Sequence, residues 1–243
     1  IGRATKALSV LSQAGKEYVG VMKLHKPASE STIKQIFTEF TGTITQLPPL
    51  RSAVKRVKRK REIYYLQFLE QQDTEVLFRV GCEAGTYVRT LCVDIGKQLG
   101  IGAHLAELRR TKVGQFTEKD LVNLQDVKDA AVFYKEGYPN ELKNVLQPVE
   151  RIFDHLPKII LRDSAIDAVC HGAPLAVPGV VEVETDIKKN MLVALLSMKQ
   201  EIVAIGTAKM NTEEIIQKDT GLCVRTEKVF MNKGTYPAIW KKH

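Results

Sequence analysis

The clearest pattern of apolar and polar positions lies in the middle of the chain, where a strand pattern changes into a helix pattern. Residues alternate from Glu75 to Glu83, which predicts a strand that ends at Ala84-Gly85. From Tyr87 onwards the period is helical, with an apolar face of Val88, Leu91, Cys92, Ile95 and Leu99. The pattern therefore predicts a strand-to-helix turn with Tyr87 and Arg89 at its mouth. At such turns polar side chains and free helix amides can meet a ligand.

Three further elements are predicted in the first half of the chain. Residues 18–25 alternate as a strand does. A helix follows Pro27, and its core-facing stripe is Ile33, Ile36, Phe37 and Phe40. Pro48-Pro49 interrupts the chain, and another alternating strand begins at Tyr64-Tyr65.

The second half has a different texture, with short segments beyond a boundary near Leu156. Asn123 is the predicted cap of one helix, and Asp163-Ser164 opens another that reaches His171. Strands are predicted over 180–184, 191–199 and 202–209, followed by a capping box at 211–214. We therefore expect an α+β chain with a mixed or antiparallel sheet in residues 1–155 and a small β-barrel domain in residues 156–243.

Composition favours a nucleic-acid partner. The chain has 36 Lys and Arg against 28 Asp and Glu, a formal charge of +8 and a pI near 9.2. The four cysteines lie in or beside apolar runs without a C-x-x-C pair, which predicts buried free thiols in a reducing compartment. No apolar stretch approaches the length of a membrane span and no charged-then-apolar leader is present, so we expect a soluble intracellular protein.

A run of basic residues without an acid precedes the strand at Tyr64. Its members are Arg51, Lys55, Arg56, Lys58, Arg59, Lys60 and Arg61. Mutual repulsion predicts an extended, mobile loop on a hairpin-like arm, which suits gripping a single nucleic-acid strand. A solvated charge run or a localisation signal is the alternative.

Several motifs resemble those of one enzyme family. The Gly-Thr-Tyr-Val-Arg-Thr-Leu of residues 85–91 and the Ala-His-Leu-Ala-Glu-Leu-Arg-Arg of residues 103–110 resemble motifs of the TruB-type RNA pseudouridine synthases. Residues 15–19, 48–56 and 171–179 resemble the dyskerin-type branch, the catalytic subunit of H/ACA guide-RNA particles. The resemblance implies that residues 1–155 are a catalytic domain that isomerises uridine to pseudouridine without a metal or an organic cofactor.

The resemblance also implies roles for single residues. Arg89 matches the arginine that pairs with the nucleophilic aspartate, and Tyr18 matches the tyrosine that packs on the flipped base. Tyr87 and Thr86 would line the same turn, and Leu91 would close the pocket floor. From the residues alone, Arg89 could equally be a solvated charge and Tyr18 a core aromatic at a strand end. The basic run matches the thumb loop that closes over substrate RNA.

Two further groups of residues are expected to contact RNA. Arg109 and Arg110 are predicted on a short helix, where they could contact the RNA backbone or cap that helix. Residues 156–243 resemble a PUA domain, and His171, Gly172 and Ala173 begin its expected RNA-facing loop. An ordinary loop is the alternative. Cys170-His171 has no second ligand pair nearby, so no zinc site is expected.

The expected nucleophile is missing from the printed residues. In the resembling family the aspartate lies in a Gly-Thr-Leu-Asp-Pro loop shortly before the segment that aligns with Ile1, and no aspartate here has that context. We therefore expect it to lie in an upstream segment.

Three functions stay open on the sequence. The first is a guide-dependent synthase acting on rRNA or tRNA, the second a standalone tRNA pseudouridine synthase, and the third a non-catalytic RNA-binding scaffold. The resemblance implies guide RNA, substrate RNA, a small zinc-ribbon nucleolar-type protein and a Gly/Arg-type protein as partners, with no membrane. The end of the sequence at Trp240-Lys-Lys-His243, without a lysine-rich tail, favours an archaeal-like form in the cytoplasm, or in the nucleolus of a eukaryote.

Overall fold

The computed structural model describes residues 2–49 and 55–238, which form two compact units. One unit comprises residues 11–122, and the other combines the residues up to Val10 with those from Asn123 onwards. The N-terminal residues belong to the second unit, because Ala7, Val10 and a 3-10 turn at Val149–Phe153 pack against the C-terminal sheet. The domain boundary at 155/156 stays a prediction.

The first unit is built on a six-stranded antiparallel sheet with the order β2-β3-β4-β1-β5-β6. Its strands are β1 (Lys16–Leu24), β2 (Gly42–Gln46), β3 (Arg59–Gln72), β4 (Glu75–Cys82), β5 (Ala103–Val113) and β6 (Phe116–Thr117). The helices of the chain up to this point are α1 (Leu8–Gln13), α2 (Glu30–Glu39) and α3 (Val88–Gln98).

One face of this sheet carries the hydrophobic core. Because side chains alternate along a strand, Met22 and Leu24 of β1 and Phe78 and Val80 of β4 face the same side. The apolar stripes of α2 and α3 pack there, as their periodicity predicts. Ser29 caps α2, since its Oγ accepts a hydrogen bond from the Thr32 amide at 3.2 Å.

Two sequence predictions in this unit are wrong. Arg109 and Arg110 lie on strand β5, not on a short helix, because residues 103–113 pair with β1 over its whole length. Strand β3 begins at Arg59 instead of Tyr64, because Arg59, Lys60 and Arg61 pair with β2. Strand pairing supplies main-chain hydrogen bonds that outweigh the mutual repulsion of three neighbouring cations.

The second unit contains a six-stranded sheet with the order β8-β12-β11-β10-β7-β9, antiparallel except for the parallel pair β7 and β10. Its strands are β7 (Lys158–Leu161), β8 (Leu175–Ala176), β9 (Val180–Val183), β10 (Leu192–Ser197), β11 (Ile202–Ala208) and β12 (Leu222–Val229). Its helices are α4 (Leu124–Lys135), α5 (Pro139–Val145), α6 (Asp163–Cys170) and α7 (Thr212–Gln217).

Both faces of the second sheet are covered. Helices α6 and α7 contribute Ile166, Val169 and Ile215 to one core, and Phe153 and Phe230 pack together in the other with their ring centroids 4.9 Å apart. The predicted caps at Asn123 and Asn211 are confirmed. All four cysteines are free and buried, as predicted. Among the described helices, none combines the length and the apolarity that a bilayer crossing requires.

Candidate active site at one end of the first sheet

One end of the first sheet gathers the chain segments that carry the predicted catalytic residues. Lys16, the first residue of β1, lies opposite Cys82 at the end of β4 and opposite Val113 at the end of β5. Gln46, the last residue of β2, lies opposite Arg59 at the start of β3. The β4–α3 turn therefore leaves the sheet at the same end as Tyr18, two residues into β1.

The strand-to-helix turn has the form that the sequence predicts. Gly85 has a φ of +82°, and the amide and hydroxyl of Thr86 both donate to the Glu83 carbonyl oxygen, at 3.3 and 2.8 Å. Tyr87 is the N-cap of α3 with an extended backbone, and its side chain does not cap the helix. Arg89 is exposed and makes no ion pair with the described residues.

Leu91 lies below this turn, in the core. It is fully buried among the residues that join α3 to the sheet. That Leu91 closes the floor of a pocket stays a prediction.

Gln46 is the residue of this site that the sequence did not reveal. It is 2% exposed, and its side-chain amide binds the main chain of Tyr87 in both directions. The amide nitrogen donates to the Tyr87 carbonyl at 3.2 Å, and the amide oxygen accepts from the Tyr87 N–H at 3.0 Å. A signal did exist: Gln46 continues the alternation of Gly42 and Ile44, so it is a polar residue at a core-facing position.

Arg61 belongs to this turn as well. Its guanidinium lies 3.7 Å from the Glu83 carboxylate and against Gly85, where an added Cβ would meet the Arg61 nitrogen at 3.1 Å. The Glu62 amide donates to the Glu83 carboxylate at 3.1 Å, and the Glu83 amide donates to the Glu62 carbonyl. Arg61 therefore braces the turn, although the sequence groups it with residues that contact RNA.

Replacing Arg61 separates these two roles. We expect Arg61→Ala to lower the free energy of unfolding by about 1 kcal/mol, through lost packing and a partly exposed ion pair. The slope of RNA affinity against salt should change by less than the roughly 0.7 that one phosphate contact contributes. Urea denaturation and RNA titrations at several salt concentrations measure both effects. Lys60→Ala is the matched control and should lower the slope by about 0.7; an equal drop in Arg61→Ala would contradict the bracing role.

The other residues of the basic run differ in their exposure to solvent. Arg51 lies outside the described residues. Lys55, Lys58 and Lys60 are exposed, whereas Arg59 is partly buried at the start of β3. Arg56 donates from its Nε to the Pro48 carbonyl at 3.4 Å, which joins the two ends of the segment between β2 and β3. Among the described cations of this run, Lys55, Arg56, Lys58 and Lys60 are therefore exposed and accessible to RNA.

Tyr18 packs against the hydrophobic core on the core side of the sheet, with Arg110 beside it. Tyr18 and Arg110 are register partners on β1 and β5, whereas Arg109 is the partner of Val19 and faces the other side, where it pairs with Glu118. Burial raises the pKa of the Tyr18 phenol, and Arg110 acts in the opposite direction. Burial also raises the pKa of the Cys82 thiol and lowers that of the Lys16 ammonium. Only one of the two predicted arginines, Arg110, is therefore beside Tyr18.

On the opposite face of the sheet, the Glu17 carboxylate and two hydroxyl groups form a separate hydrogen-bonded cluster. The hydroxyls of Tyr65 and Thr111 donate to the Glu17 carboxylate at 2.5 and 2.6 Å. Both hydrogen bonds lower the pKa of the Glu17 carboxyl, and the bond from Thr111 has the larger effect. Burial and the Glu17 bond raise the pKa of Tyr65 to about 12. The cluster ties β1, β3 and β5 together behind the candidate site.

We expect Tyr65→Phe to lower the free energy of unfolding by about 1 kcal/mol at pH 7, because it removes a hydrogen bond to a charged group. The lowered pKa of Glu17 means that this contribution is complete above the ordinary Glu value of 4.5 and is lost as the pH falls through the lower folded value. The difference between variant and wild type should therefore shrink in acid, which urea denaturation at several pH values measures. Tyr64→Phe is the control. A pH-independent difference for Tyr65→Phe would refute the assignment.

The predicted RNA-facing loop lies in the second unit. His171 caps the C-terminal end of α6, and its ring nitrogen Nδ1 lies 2.8 Å from the Asp167 carbonyl and 3.5 Å from the Asp167 carboxylate. Gly172 is exposed with a φ of +89°, and the Ala173 carbonyl accepts from the Thr226 hydroxyl at 2.7 Å. The first three residues of the loop are therefore anchored by hydrogen bonds, with His171 and Gly172 at the surface.

Comparison with known families agrees with this architecture. Residues 1–88 match the N-terminal domain of the TruB family pseudouridylate synthases, residues 89–154 the C-terminal domain of tRNA pseudouridylate synthase B, and residues 157–230 the PUA domain. Probable tRNA pseudouridine synthase B of Methanosarcina barkeri is 54% identical over all of this chain and 72% of its own length. The chain belongs to the TruB family of pseudouridine synthases. The corresponding TruB-family protein of Methanocaldococcus jannaschii is 50% identical over 99% of this chain and 72% of its own length.

Solved structures of the TruB family give the same result in three dimensions. The chain superposes on a chain of a Cbf5-Nop10-Gar1 complex with a TM-score of 0.91 and 48% identity, over 97% of this chain and 72% of that one. A chain of an H/ACA RNP bound to a substrate RNA containing 2'-deoxyuridine gives 0.88 and 44%, over 98% and 73%. The predicted fold class, a TruB catalytic domain with a PUA domain, is confirmed, and the protein is an RNA isomerase.

Proposed function

We propose that this TruB-family enzyme isomerises uridines that a guide RNA selects, as the catalytic subunit of an H/ACA ribonucleoprotein. The observation that carries the proposal is the match of nearly the whole chain to the Cbf5 chain of the Cbf5-Nop10-Gar1 complex. The same match supports two protein partners, a small zinc-ribbon protein and a Gly/Arg-type protein. The archaeal relatives support a location in the cytoplasm.

The chemistry converts uridine to pseudouridine within the RNA chain. The bond between the sugar and the base nitrogen breaks, the base rotates, and a base carbon bonds to the sugar in place of the nitrogen. That carbon loses its proton and the freed nitrogen gains one, so the product is an isomer of the substrate. The base must first leave its stack, because the bond is inaccessible inside a helix. Tyr18 is half-buried at the sheet end, and its ring would stack on the flipped base, a contact worth about 1–3 kcal/mol.

Arg89 would orient the catalytic carboxylate. Its guanidinium is exposed at the N-terminal turn of α3, where the free helix amides also favour an anion. A guanidinium can hold a carboxylate through two parallel hydrogen bonds, which keeps it ionised and aimed. In this proposal the aspartate that supplies the carboxylate lies outside the printed residues, and Tyr87 lines the same turn.

RNA would be held by two separate surfaces. Lys55, Lys58 and Lys60 would bind the phosphates of the substrate strand, with Arg110 nearer the base. In the PUA domain, assigned to residues 156–243, the surface of the anchored loop at His171 and Gly172 would contact guide RNA, because small residues allow the main chain to approach bases closely.

Guide dependence is the test of this function. The full-length protein, with its two partner proteins, is given a radiolabelled RNA that contains one target uridine, with and without a complementary guide. We expect pseudouridine only when the guide is present and matched. Equal modification with a mismatched guide would overturn the proposal.

A standalone tRNA activity is the second candidate, and the names of the close relatives favour it. An unmodified tRNA transcript added to the protein without guide RNA tests it in the same assay. Pseudouridine in that tRNA would establish the second activity, either beside the first or in its place.

A further inference from the structure

The start of α3 has no side-chain cap, and Gln46 from another strand bonds to the main chain of its N-cap residue. Tyr87 is the N-cap of α3, and its own side chain makes no capping bond. The amide of Gln46 instead satisfies the Tyr87 N–H, at 3.0 Å, and one lone pair of its carbonyl, at 3.2 Å. Two bonds exchanged with one residue are what a paired antiparallel strand supplies.

The arrangement fixes the backbone from which Arg89 projects. The Tyr87 carbonyl also accepts the first helical bond, from the Leu91 amide at 3.0 Å. The N-cap residue is therefore held on one side by the helix and on the other by Gln46. Because Arg89 follows two residues later in the first turn, a rotation of the Tyr87 peptide would move its guanidinium.

Gln46 also lies directly before the basic segment, the chain between β2 and β3 that carries Lys55 and Lys58. Gln46 ends β2, and Pro48, two residues later, accepts the hydrogen bond from Arg56. The side chain of Gln46 thus links the start of the segment that carries Lys55 and Lys58 directly to the turn that carries Arg89.

We propose that Gln46 is a positioning residue for isomerisation, which holds the Tyr87–Arg89 turn in its productive geometry and connects it to the base of the basic segment. The inference rests on the proposed role of Arg89 at the reacting centre. Gln46 itself is buried and bonds to the main chain, so it acts through the turn and does not contact the RNA.

Gln46→Met is the main test, because methionine has nearly the same length and shape but cannot bond to the Tyr87 peptide. In the full-length protein with its partners and guide RNA, we expect the single-turnover rate at saturating enzyme to fall about 10- to 100-fold, as for a small misplacement of a reacting group. The dissociation constant for substrate RNA should stay within about twofold, since uniform binding is not affected.

Gln71→Met is the matched control. The amide of Gln71 also bonds to the main chain, donating to the carbonyls of Ala28 and Asp73 at 3.0 and 2.9 Å, but it lies at the far end of β3. We expect it to destabilise the fold without changing the single-turnover rate. Thermal melting of both variants, with rates measured well below each midpoint, separates destabilisation from misplacement.

Gln46→Glu provides a second, independent readout. Its carboxylate can still accept from the Tyr87 N–H, but it can donate to the Tyr87 carbonyl only when it is protonated. The rate relative to wild type should therefore rise as the pH falls. Because a buried carboxylate also destabilises the fold until it is protonated, the rates are measured where thermal melting shows the variant fully folded at every pH. This variant also decides the question if Gln46→Met does not fold.

The proposal fails if wild type is active and Gln46→Met has the same single-turnover rate at saturating enzyme. A lower rate that is seen only below saturation would show weaker RNA binding and would also contradict the proposal. Failure of the guide-dependent function is a different result, because wild type itself would then be inactive with guide RNA. In that case the same variants are compared on tRNA, and equal rates for wild type and Gln46→Met overturn the positioning role there too.

Discussion

Arg89→Ala should lower the single-turnover rate of pseudouridine formation about 10²- to 10³-fold, the range found when one preorganised charge-stabilising donor is removed from an active site. The guanidinium is exposed and makes no ion pair with the described residues, so its removal leaves no buried charge unpaired. The affinity for substrate RNA should change by less than about threefold, because the Arg89 side chain could contact at most one phosphate of the RNA. Rapid-quench kinetics with saturating enzyme and an RNA titration measure the two quantities.

Two comparisons define the role of Arg89. Lys97→Ala removes a cation from the opposite end of the same helix, where Lys97 pairs with Asp94, and should leave the rate unchanged. Arg89→Lys keeps the charge but loses the two-bond geometry, so its rate should stay well below wild type. Full activity in Arg89→Lys would show that charge alone is needed, and full activity in Arg89→Ala would remove Arg89 from the site.

Neutralising Lys55, Lys58 and Lys60 together should weaken the binding of substrate RNA and flatten its dependence on salt. Each phosphate contact on a single strand contributes roughly 0.7 to the slope of log affinity against log salt, so three contacts predict a decrease of about 2. All three side chains are exposed, so the change in stability should be small. Titrations of the triple alanine variant over a range of salt concentrations measure the slope.

A matched variant distinguishes location from total charge. Lys128, Lys135 and Lys143 are also exposed and lie on or beside α4 and α5, away from the basic segment in sequence. Their replacement by alanine removes the same charge, and we expect the slope to decrease by less than 0.7, the contribution of one contact. Equal slopes in the two triple variants would mean that the segment makes no specific contact and only contributes to the overall field.

The second unit holds the start of the loop at His171 in place. The Thr226 hydroxyl donates a hydrogen bond to the Ala173 carbonyl of this loop. The Asp167 carboxylate lies beside Nδ1 of the His171 ring. The surface that we propose to contact guide RNA is therefore supported by hydrogen bonds within the unit, which would lower the conformational entropy lost on binding.

Much of this protein follows from its sequence. The alternation of residues 75–83 and the helical period that follows Tyr87 place the strand-to-helix turn correctly, because local periodicity reflects which side of an element faces the core. The motifs around Tyr18 and Arg89 resemble those of the TruB family, and the family matches confirm that membership. The buried cysteines and the caps at Asn123 and Asn211 also follow from local context.

Tertiary structure alone decides three other features. Residues 103–113 form a strand because β1 offers them a partner, and that pairing sends Arg110 towards Tyr18 and Arg109 to the other face. Arg61 braces a turn that follows it by more than twenty residues, and Gln46 bonds to Tyr87 across forty-one positions. Such contacts depend on which strand ends meet in space. Periodicity and composition describe only near neighbours along the chain. The short windows in which they are read do not include both residues of these contacts.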